Sequence, residues 1–310
     1  MKTRPFKQVD VFTATPYFGN PLAVVLDGSE LSTEEMQRFA QWTNLSETTF
    51  VLPPSAAAKS AGADYRVHIF TPGGELPFAG HPTLGTCHAW LQAGGQQQGR
   101  EFVLQESKIG LVKIRREGAR LAFGAPPLKR SAPSPALLAQ VAAALGLKAE
   151  HIVAAQLLDN GPVWLGLLLD SQNTVLQIQP NHLEIKSLGH KIGVVSVDQP
   201  QSSTPLISRS NREAKAFGAS ENAEYGTDTP AVEVRAFAAS IGINEDAVTG
   251  SLNASLAQWL IAEGHAPARY VAAQGTCMGR AGRVHIEQDG AGQVWVGGQS
   301  MTCLDGTVNL

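Results

Sequence analysis

One arrangement occurs twice in this chain and limits what it can fold into. Arg66-Val67-His68-Ile69-Phe70 alternates as a strand does, and a loop, Gly80-His81 and a helical run that ends near Trp90 follow. Glu233-Val234-Arg235-Ala236-Phe237, a somewhat longer loop, and Gly250-Ser251 with a helical run ending near Trp259 repeat that order. Self-similarity over so long a period suggests two halves of one design.

Length agrees with that reading. At 310 residues the chain exceeds an ordinary single-core domain, so two packed units are the better expectation. Between the repeats, the stretch from Ala125 to Pro135 holds four prolines and no periodicity, which marks a connection and puts a boundary near residue 130.

In the first half, Val9 to Phe12 and Ala23 to Leu26 read as strands of an opening hairpin around the turn-rich Pro16 to Pro21. Ser32 or Thr33 caps a helix over Glu34 to Trp42, with Met36, Phe39 and Ala40 at helical spacing. Thr48 to Leu52 is the next strand, Pro53 to Ala63 an exposed loop, Thr83 to Leu91 an apolar helix, and Phe102 to Leu104 and Leu111 to Ile114 further strands. The second half carries a helix over Ala136 to Leu145, strands at Val163 to Leu169, Gly193 to Val197 and Val232 to Phe237, and an apolar helix over Leu252 to Ala262. The tract from Asp198 to Thr229 is polar and weakly patterned.

Composition excludes several classes. With 43% hydrophobic and 16% charged residues and no continuous apolar run of about 20, the chain reads as globular, without a membrane span. The N-terminus has neither the apolar stretch nor the small-residue cleavage site of a secretory leader, so secretion is not expected. Three cysteines, Cys87, Cys277 and Cys303, make neither a disulfide framework nor a zinc cluster and suit a reducing cytoplasm. A net charge of −3, with 24 basic and 27 acidic residues and no dense basic run, gives no pull toward nucleic acid. Small molecules are the expected partners.

In both repeats a glycine-containing loop delivers a small or polar residue to the first turn of a helix, where unpaired N–H groups and the positive dipole end favour an anion. Two such ends facing one cleft would hold a substrate carboxylate and stabilise enolate-like charge beside it. Individually the candidate residues have ordinary explanations. Glu47, between a helix exit and a strand, has the position of a solvated loop charge. Asp246 stands where a residue caps a helix, and His81 before Pro82 suits a cap or loop. His81 and His88 share a helix face without a third metal ligand at suitable spacing. Cys87 reads as core packing, and Cys277 lacks a neighbouring histidine to activate it. Thr249-Gly250-Ser251 lacks the symmetric G-x-S-x-G elbow of hydrolases, and no G-x-G-x-x-G dinucleotide loop or phosphate loop occurs.

Together these segments resemble the PhzF family of phenazine-biosynthesis-like isomerases. The likeness runs through Val9 to Phe12, Gly19 to Val25, Asn44 to Val51, Phe70 to Pro72, Glu75 to Gly85, Glu245 to Ser251, and Gln274-Gly275 with Gly279-Arg280. The run Pro77-Phe78-Ala79-Gly80-His81-Pro82-Thr83 is its most specific block.

The resemblance implies an α+β fold of two pseudo-symmetric, diaminopimelate epimerase-like halves, each a curved, mostly antiparallel sheet around a central helix, with the active site between them. It divides the chain into residues 1–128, 129–298, and a segment 299–310 that packs back on the first half. It implies a cofactor-free isomerase, without a metal, that moves a proton on a small cyclic or unsaturated carboxylic acid. The family's named substrate is dihydro-hydroxyanthranilate. Glu47 would be the principal general acid/base, with His81 and Asp246 binding substrate and tuning proton transfer. Gly80, Gly250 and Ser251 would hold the substrate carboxylate. His81 and Ser251 occupy the regions where related epimerases carry paired cysteines, which disfavours a two-cysteine mechanism. A cytoplasmic homodimer is the implied assembly.

The chain departs from the family pattern at Ala247, where proline is common, at Ala239, and in a longer tract before Val232 that would bear on substrate access or dimer contacts. Two other readings stay open: a small-carboxylate-binding protein without turnover, and a hydrolase using Ser251.

Overall fold

The computed structural model describes residues 1–97, 101–197 and 229–310. All of the polar tract except Thr229 lies outside them.

The first half contains strands β1 (Thr3–Val11), β2 (Asn20–Val25), β3 (Glu47–Leu52), β4 (Tyr65–Thr71), β5 (Gly74–Leu76), β6 (Phe102–Ser107), β7 (Gly110–Glu117) and β8 (Arg120–Gly124). Helices α1 (Thr33–Thr43), α2 (Ala56–Ser60) and α3 (Gly80–Gln92) lie among them. The second half contains β9 (Lys129–Ser131), α4 (Pro135–Leu145), β10 (Ile152–Asp159), β11 (Val163–Leu169), α5 (Gln172–Gln177), α6 (His182–Leu188) and β12 (Lys191–Val197). It continues through β13 (Val232–Ala238), β14 (Ile243–Asp246), α7 (Gly250–Ala262), β15 (Arg269–Gln274), β16 (Gly282–Gln288) and β17 (Val294–Asn309).

The repeat seen in the sequence is a repeat of topology. β1–β2 and β10–β11 are antiparallel, β2–β3 and β11–β12 parallel, β3–β4 and β12–β13 antiparallel, and β4–β6 and β13–β15 parallel. Each parallel pair needs a crossover, and helices supply it: α1 or α5–α6 for the first, α3 or α7 for the second. The halves exchange strands. β8 runs on to β9, which pairs with β10, while the long β17 first pairs with β16 and β8 and then, from Ser300 to Asn309, with β1. That last pairing closes the first-half sheet into a barrel of eight strands around α3.

Burial explains the composition of the elements. α3 and α7 sit inside their sheets, so they have no polar face to present and read as small or apolar all round. β11 is covered on both faces: Trp164 and Leu168 pack inward toward α7, and Leu165, Leu167 and Leu169 pack outward with Val141, Val175 and Ile185 of the outer helices. α1 covers the outer face of the first sheet through Met36 and Phe39 against Val25, Phe50 and Phe70. Its start is fixed by a capping box in which the Ser32 hydroxyl accepts from the Glu35 N–H and the Glu35 carboxylate accepts from the Ser32 N–H.

Two local expectations need correction. The stretch Pro53 to Ala63 contains α2: Ser55 caps three alanines, strong helix formers whose small size imitates loop composition. α3 begins at Gly80, not Thr83, because proline is tolerated in a first turn where its missing N–H has no intrahelical partner anyway. Among the described residues no helix is long and apolar enough to cross a membrane.

Candidate active site

The two central helices meet end to end. A Cβ built on Gly250 would stand 3.0 Å from both the Gly80 Cα and the His81 backbone nitrogen. One built on Gly80 would stand 2.6 Å from the Phe123 ring. Only glycine permits this approach. The residues before the helices, Ala79 and Thr249, provide no side-chain cap, and neither first turn carries an acidic residue. Two positive helix ends with uncapped N–H groups therefore converge on one place, which suits an anion.

Glu47 reaches this place from the start of β3. The left-handed Asn44 ends α1, with a φ of 54°, and turns the chain so that Glu47 enters the sheet in parallel register with Leu22. Its Oε2 lies 3.3 Å from His81 Nδ1. Burial, and next the negative charge of Asp246, push the Glu47 carboxyl up to about 8, while Ser46 and Lys191 act in the opposite direction. Burial pushes the His81 imidazole down to about 3, against a hydrogen bond to the Pro21 carbonyl that favours its charged form. Both groups are thus predominantly uncharged at neutral pH, and their contact is not an ion pair. Glu47 Oε2 and His81 Nε2 are buried with no hydrogen-bond partner, a costly condition that a bound ligand would relieve.

Asp246 enters from the other half, at the end of β14. Its Oδ1 accepts from Asn20 Nδ2 at 2.9 Å and its Oδ2 from the Thr249 hydroxyl at 2.6 Å. Burial nevertheless raises its carboxyl to about 6, against those hydrogen bonds. Asn20 also donates to the Val248 carbonyl at 2.9 Å and so joins the first half to the loop before α7. The loop is held from below by Gln274. Its Oε1 accepts from the Thr249 N–H and from Asn253 Nδ2, and its Nε2 donates to the Asp246 carbonyl and the Thr249 hydroxyl. Asp246 also borders a cleft of about 390 Å³ that opens between Asn44–Ser46 and the segment 241–247, which includes β14.

Ser251 lies in the first turn of α7, buried. Its hydroxyl accepts from the Trp164 indole N–H at 3.3 Å, and its carbonyl accepts from Asn160 Nδ2 at 3.0 Å. Cys277 is exposed and donates to the Leu176 carbonyl, while Cys87 is fully buried in the core.

Glu47, His81 and Gly80 from one half thus gather with Asp246, Gly250 and Ser251 from the other. Sequence reasoning gave no role to Asn20, Thr249, Gln274, Asn160, Trp164 or Lys191. Asn20 and Gln274 fall within blocks of the family pattern, which was their available signal. Trp164 and Lys191 had none, because each looks like ordinary strand material.

The comparisons agree with this architecture. The family model described as phenazine biosynthesis-like protein, PhzC-PhzF, matches residues 9–306. Antisense-enhancing sequence 1 of Schizosaccharomyces pombe is 33% identical, over 99% of both chains. The trans-2,3-dihydro-3-hydroxyanthranilate isomerase of Pseudomonas aeruginosa is 30% identical, over 92% of this chain and 90% of that one. A crystal structure of a PhzF-family phenazine biosynthesis protein from Bacillus anthracis superposes over 100% of both chains with a TM-score of 0.76 at 22% identity, which supports the fold. The chain belongs to the phenazine biosynthesis-like PhzC-PhzF family and is an isomerase.

Proposed function

We propose that this isomerase moves a proton on a small carboxylic acid, cyclic or unsaturated, by general acid/base catalysis without a cofactor. The observation that carries the reading is the Glu47 carboxyl: buried, raised to about 8, with its Oε2 3.3 Å from a neutral imidazole but in no hydrogen bond. A group poised near neutrality both takes and returns a proton efficiently. In its ionised form Glu47 removes a proton from a carbon conjugated to the substrate carboxylate. The electron pair left behind spreads into the carboxylate as an enolate, which the facing starts of α3 and α7 stabilise. The Glu47 acid then returns the proton to a second carbon of the same conjugated system. Nothing is gained or lost but the position of a hydrogen and a double bond, so no redox partner is required.

The Asp246 carboxylate, fixed by Asn20 and Thr249, orients the substrate and raises the basicity of Glu47 by repulsion. Ser251 is poorly placed as a nucleophile. Its hydroxyl accepts from an indole, and among the described residues no hydrogen bond links it to a histidine or carboxylate base.

Glu47→Gln tests the proposal with the named substrate of the Pseudomonas aeruginosa relative, trans-2,3-dihydro-3-hydroxyanthranilate, in deuterated water. Isomerisation and deuterium entry should fall by about a hundredfold or more, while affinity for anthranilate as a non-reacting carboxylate persists. Unchanged turnover in the variant would remove Glu47 as proton carrier. A wild type that binds anthranilate but turns over no acid in a panel of conjugated carboxylates would favour a binding protein instead.

A further inference from the structure

Lys191 begins β12 as Glu47 begins β3. Trp164 stands beside Lys191 in the parallel β11–β12 pair as Leu22 stands beside Glu47 in the β2–β3 pair. The pseudo-symmetry therefore puts a lysine where the first half puts its reactive carboxyl.

That lysine is tied to the site. Its Nζ lies over the Trp164 ring, 5.1 Å from the centroid, and the same indole donates its N–H to the Ser251 hydroxyl in the first turn of α7. Charges on Lys191 and Glu47 act on each other. Even so, among the described residues Lys191 has no carboxylate within the 4.0 Å of an ion pair. Its strand neighbourhood is largely apolar, and burial lowers the ammonium from the usual lysine range. Close by, Asn160 holds the Ser251 carbonyl through Nδ2 while its buried Oδ1 has no partner. An ammonium without an ion-pair partner among the described residues, joined through Trp164 to the first turn of α7 and with the unpartnered Asn160 Oδ1 nearby, suits an anionic group.

We propose that Lys191 is a substrate-binding residue whose ammonium holds the anionic group of the substrate on the second-half wall of the site. The inference rests on the carboxylate-isomerase reading and sharpens it. The acid group lies toward Trp164, Lys191 and the start of α7, and the carbons that exchange a proton lie toward Glu47. Lys191 thereby selects acids over their neutral amides and esters, a preference the two helix ends alone enforce more weakly.

Calorimetric titration with anthranilate and its neutral analogue 2-aminobenzamide tests this in the wild type, Lys191→Met and Lys191→Arg. The methionine keeps the stem on Trp164 and removes the charge. It should weaken anthranilate by about tenfold or more and change 2-aminobenzamide by less than about twofold, and Lys191→Arg should restore most of the loss. Equal weakening of both ligands would mean lost packing, and retained anthranilate affinity would mean that the ammonium carries no anion. Either overturns the proposal and leaves the isomerase reading standing. A wild type that does not prefer anthranilate to its amide overturns both.

Discussion

Gly80 and Gly250 touch through their backbones: the position of a Gly250 Cβ is 3.0 Å from the Gly80 Cα. This contact sets the distance between the two helix ends, and through them the distance between Glu47–His81 and Asp246–Ser251. Gly250→Ala forces the ends apart at a position where backbone, not a flexible side chain, lies opposite. Overpacking of this kind costs about 1–3 kcal/mol of stability. The effect on turnover should be larger, about a hundredfold, because displacement of reacting groups is felt more steeply than strain. A thermal melt and a kcat/KM measurement on the same preparation check this, and a folded variant of near-normal activity would show that the contact does not set the site.

Burial raises both Glu47 and Asp246, to about 8 and about 6, and the negative charge of Asp246 adds to the rise of Glu47. If ionised Glu47 begins the reaction, kcat/KM rises with pH along a limb that ends near the higher of these values. Asp246→Asn removes the repulsion that helps to hold the Glu47 carboxyl up, so the limb should move to lower pH even as the height of the profile falls. A pH–rate profile of the two proteins decides it. A limb that stays in place, or moves upward, would mean that Asp246 does not set the basicity of Glu47.

The same group makes stability depend on pH. Glu47 binds its proton more tightly in the folded chain than in the unfolded one, so it favours folding most below the ordinary carboxylate pKa of about 4.3. That contribution is lost progressively as pH rises and is gone once the folded-state value of about 8 has been passed. Glu47→Gln abolishes the dependence. It should be close to the wild type in melting temperature at pH 5 and more stable than it at pH 9, with a gap on the order of a few kcal/mol. Parallel melts at the two pH values measure the gap, and a constant difference would contradict a raised Glu47.

Much of the fold was legible because it depends on local rules. The Ser32 cap, the alternation of β4 and β13 and the all-round apolar character of α3 and α7 follow from propensity and periodicity. The repeat was visible for the same reason. The strand exchange was harder: the family resemblance sends residues 299–310 back to the first half, but no local signal between Val294 and Asn309 tells the chain to leave β16 and pair with β1, since the register is fixed by partners distant in sequence. The site divides in the same way. Gly80 and Gly250 announce themselves as glycines at helix starts, and Glu47, His81 and Asp246 came from the family pattern, not from their ordinary local settings. Lys191 and Trp164 were invisible because their importance lies in the sheet register that sets them side by side and in the turn of α7 beneath the indole.

Gln274, fully buried, lies beneath the loop that carries Asp246. All its amide capacity is spent on the loop before α7 and that helix's first turn: two donors, the Thr249 N–H and the Asn253 amide, reach its Oε1, and its Nε2 supplies the Asp246 carbonyl and the Thr249 hydroxyl. Thr249 in turn donates to the Asp246 carboxylate, so Gln274 positions Asp246 through its neighbours. Gln274→Leu keeps the volume and orphans these groups at a fully buried position, at roughly 1–3 kcal/mol for each group that water cannot reach. Gln274→Glu is the more telling variant. Its carboxylate still accepts from Thr249 and Asn253, but the oxygen that replaces Nε2 faces the Asp246 carbonyl and must hold a proton to bond with it. Its stability should therefore fall more steeply with rising pH than that of the wild type, whereas Gln274→Leu should be destabilised evenly across pH. Melting curves from pH 5 to pH 9 separate the two, and equal pH dependence would mean that the Nε2 donations contribute little to holding Asp246 in place.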